Sequence, residues 1–194
     1  KKSFSIKTGN CSYDGKSINK KKEAVTISLK NFNRLISINH KKRTIKVQSG
    51  IKLSKLLLIL KEKKYSMYSV PGGEHITVGG AISANVIGKD SNKKIAAFGD
   101  SIINLNVMLY DGNVEKLNSR SKKFFQFIGS FGLFGIILSA EIKIKKKISK
   151  NLISKSSKIN NFNDIKKLLD SKNEFKYVQL NPFFNPDKLG VFFY

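Results

Sequence analysis

The alternation of apolar and polar positions predicts a series of short elements in the first fifty residues. Residues 3–7, 25–29 and 44–48 alternate with a period of two, which is typical of strands with one buried face. Residues 31–38 instead carry apolar side chains at the i, i+3 and i+4 spacing of a short amphipathic helix. We therefore expect both strands and helices from the start of the chain.

A longer helix is predicted where Leu53, Leu56, Leu57 and Leu60 recur at i, i+3, i+4 and i+7. Lysines occupy several of the remaining positions, so the leucines form one stripe that can pack on a sheet. Strand, helix, strand and helix in this order indicate an α/β arrangement.

The region between residues 100 and 146 predicts a hairpin and a long strand. Residues 103–109 alternate and lead to Asp111-Gly112, a dipeptide that favours a hairpin turn. Residues 122–127 predict a short aromatic helix, and residues 136–145 predict a long strand with one solvent-exposed face.

The composition changes to Ser, Asn and Lys near residue 149, which indicates a second domain. Within it, residues 163–169 predict a helix and residues 175–180 predict a strand. We expect one domain over residues 1–148, lacking its N-terminal strand or helix, and the beginning of a truncated domain over residues 149–194.

The composition is that of a folded protein with an unusually basic surface. Of the 194 residues, 40% are hydrophobic and 26% are charged, so a core can form, and the net charge is +24. Lysines greatly outnumber arginines and are spread along the chain without interleaved aromatic residues. We favour solvated surface lysines over a nucleic-acid interface. A non-catalytic basic module that binds nucleic acid or anionic lipid stays open as an alternative.

The scarcity of cysteine and histidine excludes several kinds of site, and the lack of a long apolar stretch bears on a membrane location. The single cysteine, Cys11, permits no internal disulfide or cysteine-based zinc site, and His40 and His75 stand far apart, so we expect no metal. The longest apolar stretch, residues 131–140, is about half of what a membrane span needs. We expect a soluble, cytoplasmic protein, with peripheral membrane association left open.

Two glycine-containing stretches can bring backbone N–H groups close to phosphate. Residues 7–13 combine a turn, a hydroxyl and a nearby cation. Residues 71–81 are rich in glycine, and residues 77–84 supply backbone amides at a predicted helix start. Phosphate cradles need glycine because side chains would block the approach to the backbone. Neither stretch is a Walker loop or a Gly-x-Gly-x-x-Gly motif. Together they suit an extended diphosphate ligand.

The same stretches carry a resemblance to a known family. Residues 3–147 resemble, in consistent order, the PCMH-type FAD-binding domain of the vanillyl-alcohol-oxidase/p-cresol-methylhydroxylase superfamily, and within it the decaprenylphosphoryl-β-D-ribose oxidase type. The motifs that carry the likeness are Thr-Val-Gly-Gly-Ala-Ile at 77–82, Ile-Gly-Lys-Asp at 87–90, Phe-Gly-Asp at 98–100, Leu-Tyr-Asp-Gly at 109–112 and Gly-Leu-Phe-Gly-Ile-Ile at 132–137. The resemblance implies an α+β fold of two α/β subdomains, followed by the start of a substrate domain.

The resemblance also implies which residues bind the ligands. Lys89 and Tyr13 would line the substrate pocket. The implied FAD contacts are Lys7, Thr8, Gly9, Asn10, Cys11, Ser12, Tyr13, Gly72, Gly73, Thr77, Val78, Gly79, Gly80, Ala81, Ala84, Asn85, Ile87, Gly88 and Ile137.

Departures from the family pattern affect the first loop and the pocket. Lys7 replaces an arginine, and Thr8 and Asn10 stand where glycines are usual. Cys11 occupies the position of a histidine that some relatives join covalently to the flavin; the resembled type has a non-linking arginine there, so we favour non-covalent FAD. Ile87 replaces a histidine that faces the active site, which removes a polar substrate contact.

The activity implied by the resemblance is oxidation of a hydroxyl carbon of a sugar-like substrate, phosphorylated or lipid-linked substrates included, by hydride transfer to flavin N5. The protein would supply binding and orientation, and FAD the redox chemistry. The base would lie in the missing C-terminal part, and the electron acceptor is open. We expect this chain alone to be inactive. Alternatives within the superfamily are an aldonolactone, an alditol or a 2-hydroxy acid as substrate.

Overall fold

A computed structural model describes residues 3–12, 19–21, 23–88, 90, 94–147 and 161–171. Its strands are β1 (Phe4–Lys7), β2 (Val25–Ser28), β3 (Leu35–Asn39), β4 (Thr44–Gln48), β5 (Tyr65–Met67), β6 (Ile102–Met108), β7 (Val114–Asn118) and β8 (Ile136–Lys146). Its helices are α1 (Leu53–Glu62), α2 (Val78–Ser83), α3 (Lys122–Phe127) and α4 (Phe162–Asp170).

The strands form a small parallel pair and a larger antiparallel sheet. Strands β1 and β2 pair in parallel, with Phe4 opposite Val25. The larger sheet has the order β3-β4-β8-β6-β7, and β5 pairs with the far end of β8. Helices α1, α2 and α3 contact strands of the larger sheet, so the structure combines helices with sheet and the expected α+β fold is confirmed.

The main core lies between the larger sheet and the helices. The leucines of α1 at positions 53, 56 and 60 are fully buried in one cluster with Ile45, Val47 and Ile142. Along β8, Ile142 and Ile144 are buried while Lys143 is exposed, which confirms a long strand with one solvated side.

The predicted hairpin is confirmed between β6 and β7. The Leu109 amide donates to the Asn113 carbonyl over 2.9 Å, and Gly112 closes the turn with φ of +87°. A positive φ is unfavourable for most side chains, which explains glycine here.

The predicted helix over residues 31–38 is wrong. Residues 35–39 instead form the edge strand β3, which pairs with β4 through an irregularity between Leu35 and Ser37. Eight residues are too few for apolar spacing alone to separate a helix from a strand. The available backbone edge of β4 decides the outcome. The predicted strand over residues 175–180 lies outside the described residues.

The predicted helix near residue 163 is confirmed as α4, which Asn161 caps by accepting from the Asp164 amide over 3.1 Å. No helix among the described residues has the length and apolarity that a membrane crossing requires.

Candidate functional site

A cleft of about 540 Å³ brings together the two glycine-containing stretches. Its walls are the loop after β1 (residues 8–12), the segment that leads into and through α2 (residues 71–84), and the turn before β8 together with the start of that strand (residues 131–137). Its volume falls within the range of about 300–1,000 Å³ that is usual for cofactor sites.

The first wall contains a left-handed turn at Asn10, one of the two positions where the resembled family usually has glycine. Asn10 has a φ of +55°, a left-handed conformation that asparagine tolerates better than most residues. Gly9 packs closely, since a Cβ there would lie 2.9 Å from the Thr77 Cγ2 atom. Asn10 therefore adopts a backbone conformation that glycine also adopts readily.

The backbone amides of this loop face few protein acceptors. Residues 9–12 donate no backbone hydrogen bond to any other described residue. The exposed Cys11 thiol donates to the Gly9 carbonyl over 3.1 Å, with the His75 carbonyl at 3.8 Å. The loop thus offers N–H groups that can bind an anion.

The start of α2 is different, because its amides are already used. The Val78 amide donates to the Ile51 carbonyl over 2.9 Å and the Gly79 amide donates to the Ser49 carbonyl over 2.7 Å. Gly79 permits this approach, since a Cβ would lie 2.9 Å from the Ser49 Cβ and 3.1 Å from its carbonyl oxygen. Gly79 is therefore required for the close packing of α2 against Ser49.

A hydroxyl pair joins the two walls. The Thr77 Oγ1 atom accepts the Gly80 amide over 3.3 Å, as a helix N-cap does, and donates to the Thr8 Oγ1 atom over 2.7 Å. Thr8 thus holds the first loop against the beginning of α2.

The rim of the cleft is apolar. Ile87 and Phe131 are each 70% exposed at its mouth, and Ile137 forms part of its nearly buried floor. Phe131 has a φ of +52° in a turn that also contains Gly132 and Gly135 at positive φ. A flat apolar ring system can pack against such a rim while polar groups reach the amide-lined end.

Most of the residues expected to contact the cofactor line this cleft. They are Thr8, Gly9, Asn10, Cys11, Ser12, Gly72, Gly73, Thr77, Gly79, Gly80, Ala84, Ile87 and Ile137. Tyr13 and Lys89, the expected substrate-pocket residues, lie outside the described residues.

Five expected contacts do not line the cleft: Lys7, Val78, Ala81, Asn85 and Gly88. Val78 and Ala81 are fully buried in the core. The Asn85 Oδ1 atom accepts the Gly99 amide over 3.0 Å and so positions the turn before β6.

Gly88 packs against a buried carboxylate. A Cβ at Gly88 would overlap the Asp90 Oδ1 atom, and that carboxylate accepts the Val70 amide at 3.0 Å and 3.1 Å. Burial raises the pKa of Asp90 above its ordinary value, although the Val70 hydrogen bond opposes the shift. This contact joins Asp90 to the segment that follows β5.

The sequence pattern missed several lining residues. Other residues that line the cleft are Ile6, Leu29, His75, Ser83, Val86 and Phe131. The alternation in residues 3–7 and 25–29 identifies buried positions but gives no information about which cavity they face.

The cleft fits a ligand that carries a diphosphate and an apolar ring system. Its described lining contains neither an aspartate nor a glutamate, so no carboxylate there repels an anion. The described lining also contains no lysine or arginine, which leaves backbone amides and hydroxyls as donors. No group of three described His, Cys, Asp or Glu residues could hold a metal ion.

Comparison with known proteins agrees with this geometry. Residues 1–118 match the family described as FAD binding domain. The chain is 29% identical over 123 residues to a decaprenylphosphoryl-beta-D-ribose oxidase of Mycolicibacterium smegmatis, covering 62% of this chain and 26% of the relative. It is 30% identical over 119 residues to a putative D-arabinono-1,4-lactone oxidase of Neurospora crassa, covering 60% and 21%.

A solved structure shows the same fold. An alkyldihydroxyacetonephosphate synthase superposes with a TM-score of 0.66 at 21% identity, over 74% of this chain and 27% of that protein. The chain therefore spans about a quarter of the length of these proteins.

Proposed function

Given that the chain belongs to the FAD binding domain family of flavoprotein oxidoreductases and takes FAD as its cofactor, we propose that it oxidises a hydroxyl carbon of a sugar-like substrate. The observation that carries the proposal is the convergence of the first loop and the α2 segment on one cleft. Family membership also favours an enzyme over a non-catalytic basic binding module.

Within the cleft, the chain's own residues would hold and orient the cofactor. The amides of residues 9–12 and the hydroxyls near Thr8 would bind its diphosphate. Ile87 and Phe131 would pack on its ring system and exclude water from the mouth. When bound, FAD supplies the redox chemistry by accepting a hydride from the substrate carbon.

We assign this part of the site to residues 1–148 and the start of a substrate domain to residues 149–194. Tyr13 and Lys89 are proposed substrate-pocket residues. We propose that the base that takes the hydroxyl proton lies outside the FAD-binding domain. We also propose that FAD is bound non-covalently, with no bond to Cys11.

The proposed substrate class rests on two of the relatives. One is an oxidase of a decaprenylphosphoryl ribose and the other a putative oxidase of an arabinono-lactone. Both compounds derive from sugars, which supports a sugar-like substrate, phosphorylated or lipid-linked. The second name favours an aldonolactone as the alternative substrate.

Anaerobic reduction of the flavin tests the proposal. The full-length protein, loaded with FAD, is mixed without oxygen with phosphorylated pentoses, aldonolactones, alditols and 2-hydroxy acids, and loss of flavin absorption is followed. We expect bleaching by a pentose derivative with a free ring hydroxyl. Bleaching by aldonolactones or 2-hydroxy acids but by no pentose derivative would replace the substrate assignment, and bleaching by none would contradict hydroxyl oxidation.

A further inference from the structure

Ile87 stands at the mouth of the cleft with little packing of its own. Its side chain is 70% exposed, so its position depends on how the chain on either side of it is held. On the N-terminal side, the Val86 carbonyl accepts the Phe98 amide over 2.9 Å. On the C-terminal side, both carboxylate oxygens of Asp90 accept the Val70 amide, at 3.0 Å and 3.1 Å. One of the two anchors of Ile87 therefore depends on a single carboxylate.

The Asp90 contact also joins two segments that border the cleft. Val70 directly precedes residues 71–73, which line the cleft, and Ile87 lines it as well. Gly88 lets the two segments approach, since a Cβ there would lie 2.8 Å from the Val70 carbonyl oxygen and would overlap the Asp90 Oδ1 atom. The carboxylate thus holds part of the wall and a residue of the mouth in one arrangement.

The electrostatics of Asp90 favour a role in the site over a role in stability. Burial raises the pKa of its carboxyl above the ordinary value, while the Val70 amide and the ammonium of Lys145 on β8 oppose the shift. A carboxyl with a raised folded pKa stabilises the protein at low pH, and this contribution is lost as the pH rises through the folded pKa. Ionised Asp90 therefore does not stabilise the fold, and groups of this kind cluster at functional sites.

We propose that Asp90 is a positioning residue for the mouth of the cleft, whose ionised carboxylate fixes Ile87 relative to residues 71–73 and so slows the release of bound FAD. A protonated carboxyl carries a hydrogen on one oxygen, so it loses one of the two acceptors that face the Val70 amide. Asp90 is not among the residues that line the cleft, so it acts through Ile87 and not by touching the cofactor. This role rests on FAD binding in the cleft.

The test follows the release of FAD from the full-length protein, without substrate, by recovery of flavin fluorescence on dilution. The variants are Asp90→Asn, which keeps the shape and removes the charge, Ile87→Ala, which shortens the side chain at the mouth, and the double variant. Release is measured between about pH 4 and pH 8, the range in which carboxyls with raised pKa values titrate. His75 also lines the cleft but is present in every variant, so differences between variants do not arise from it.

We expect Asp90→Asn to release FAD about tenfold faster than the wild type at neutral pH, the size of a lost hydrogen bond to a charged group. Its free energy of unfolding, measured in urea without ligand, should equal or exceed the wild-type value. Wild-type release should accelerate as the pH falls through the pKa of Asp90 and approach the rate of Asp90→Asn, whose own rate should change little.

Ile87→Ala should also release FAD faster. In the Asp90→Asn background it should change the rate less than about twofold, because both substitutions affect the same part of the mouth. Release from Asp90→Asn at the wild-type rate, full additivity of the two substitutions, or one pH profile for wild type and Asp90→Asn would each overturn the proposal. Failure of the wild type to bind FAD would contradict the cofactor assignment and the role of Asp90 with it, whereas failure to oxidise a sugar-like substrate would leave the predicted release rates unchanged.

Discussion

Thr77 donates a hydrogen bond to Thr8 over 2.7 Å, although the two residues are 69 positions apart in the chain. This contact joins the loop after β1 to the start of α2 and so determines how the two walls of the cleft meet. Because Thr77 also caps α2, one hydroxyl contributes to both stability and site geometry.

Replacing Thr77 by alanine should destabilise the protein. Thr77→Ala removes the oxygen that accepts the Gly80 amide, and loss of an N-cap costs about 1 kcal/mol. Urea unfolding measures the free energy, and Thr77→Ser, which keeps the hydroxyl, is the matched control. An alanine variant as stable as the serine variant would show that the cap has no energetic role.

The adjacent glycines Gly79 and Gly80 should respond differently to alanine. In Gly79→Ala the new Cβ would meet Ser49 Cβ at 2.9 Å, so α2 must shift, at a cost of about 1–3 kcal/mol. In Gly80→Ala the new Cβ would face the cleft and cover the hydroxyl pair. We expect its unfolding free energy to stay near the wild-type value, and its FAD affinity to fall.

Chemical denaturation and FAD titration of both variants distinguish these roles. If Gly80→Ala binds FAD as tightly as the wild type, then this face of α2 does not contact the cofactor.

The sequence predicts the parts of the fold whose patterns are long or unambiguous. The four leucines of α1 repeat over two helical turns, and Asp111-Gly112 is a strong hairpin signal. The structure confirms both the helix and the hairpin. The helix predicted over residues 31–38 is wrong because its apolar pattern covers only about two turns, and pairing of Leu35–Asn39 with β4 overrides such a local preference.

The sequence also predicts the two main walls of the candidate site, but not how their backbone groups are used. Glycine stretches reveal where backbone can approach a ligand, which located the walls at residues 8–12 and 71–84. The Val78 and Gly79 amides donate to carbonyls of the loop between β4 and α1, so no local motif reveals that they are used. Phe131 reaches the rim only through the turn that precedes β8.

The flavin should be released by acid. Cys11 is a free, exposed thiol that donates to the Gly9 carbonyl, and we propose that it forms no bond to FAD. After acid precipitation of the FAD-loaded protein, the yellow colour should remain in the supernatant, in wild type and in Cys11→Ser alike. Colour retained in the wild-type pellet and lost from the Cys11→Ser pellet would establish a thioether link instead.

Glu141 should make stability depend on pH. Burial tends to raise the pKa of Glu141, but hydrogen bonds from Asn104 at 2.6 Å and Thr44 at 2.8 Å, with nearby lysines, lower it below 4.5. A carboxyl with a lowered folded pKa stabilises the protein above its unfolded pKa, and this contribution is lost as the pH falls through the folded pKa.

Comparison of wild type with Glu141→Gln tests this effect. At neutral pH the wild type should have the higher free energy of unfolding, and the difference should shrink steadily below pH 4.5. A difference that does not change with pH would contradict the role of the ionised carboxylate.

Titration of the full-length protein with FAD tests the central claim, that the cleft between residues 8–12 and α2 holds the cofactor. We predict one FAD bound per chain, with quenched or shifted flavin fluorescence and an affinity that Gly80→Ala reduces. A colourless protein that binds no FAD, and whose binding to polyanions weakens steeply with salt, would contradict the claim and support a basic binding module.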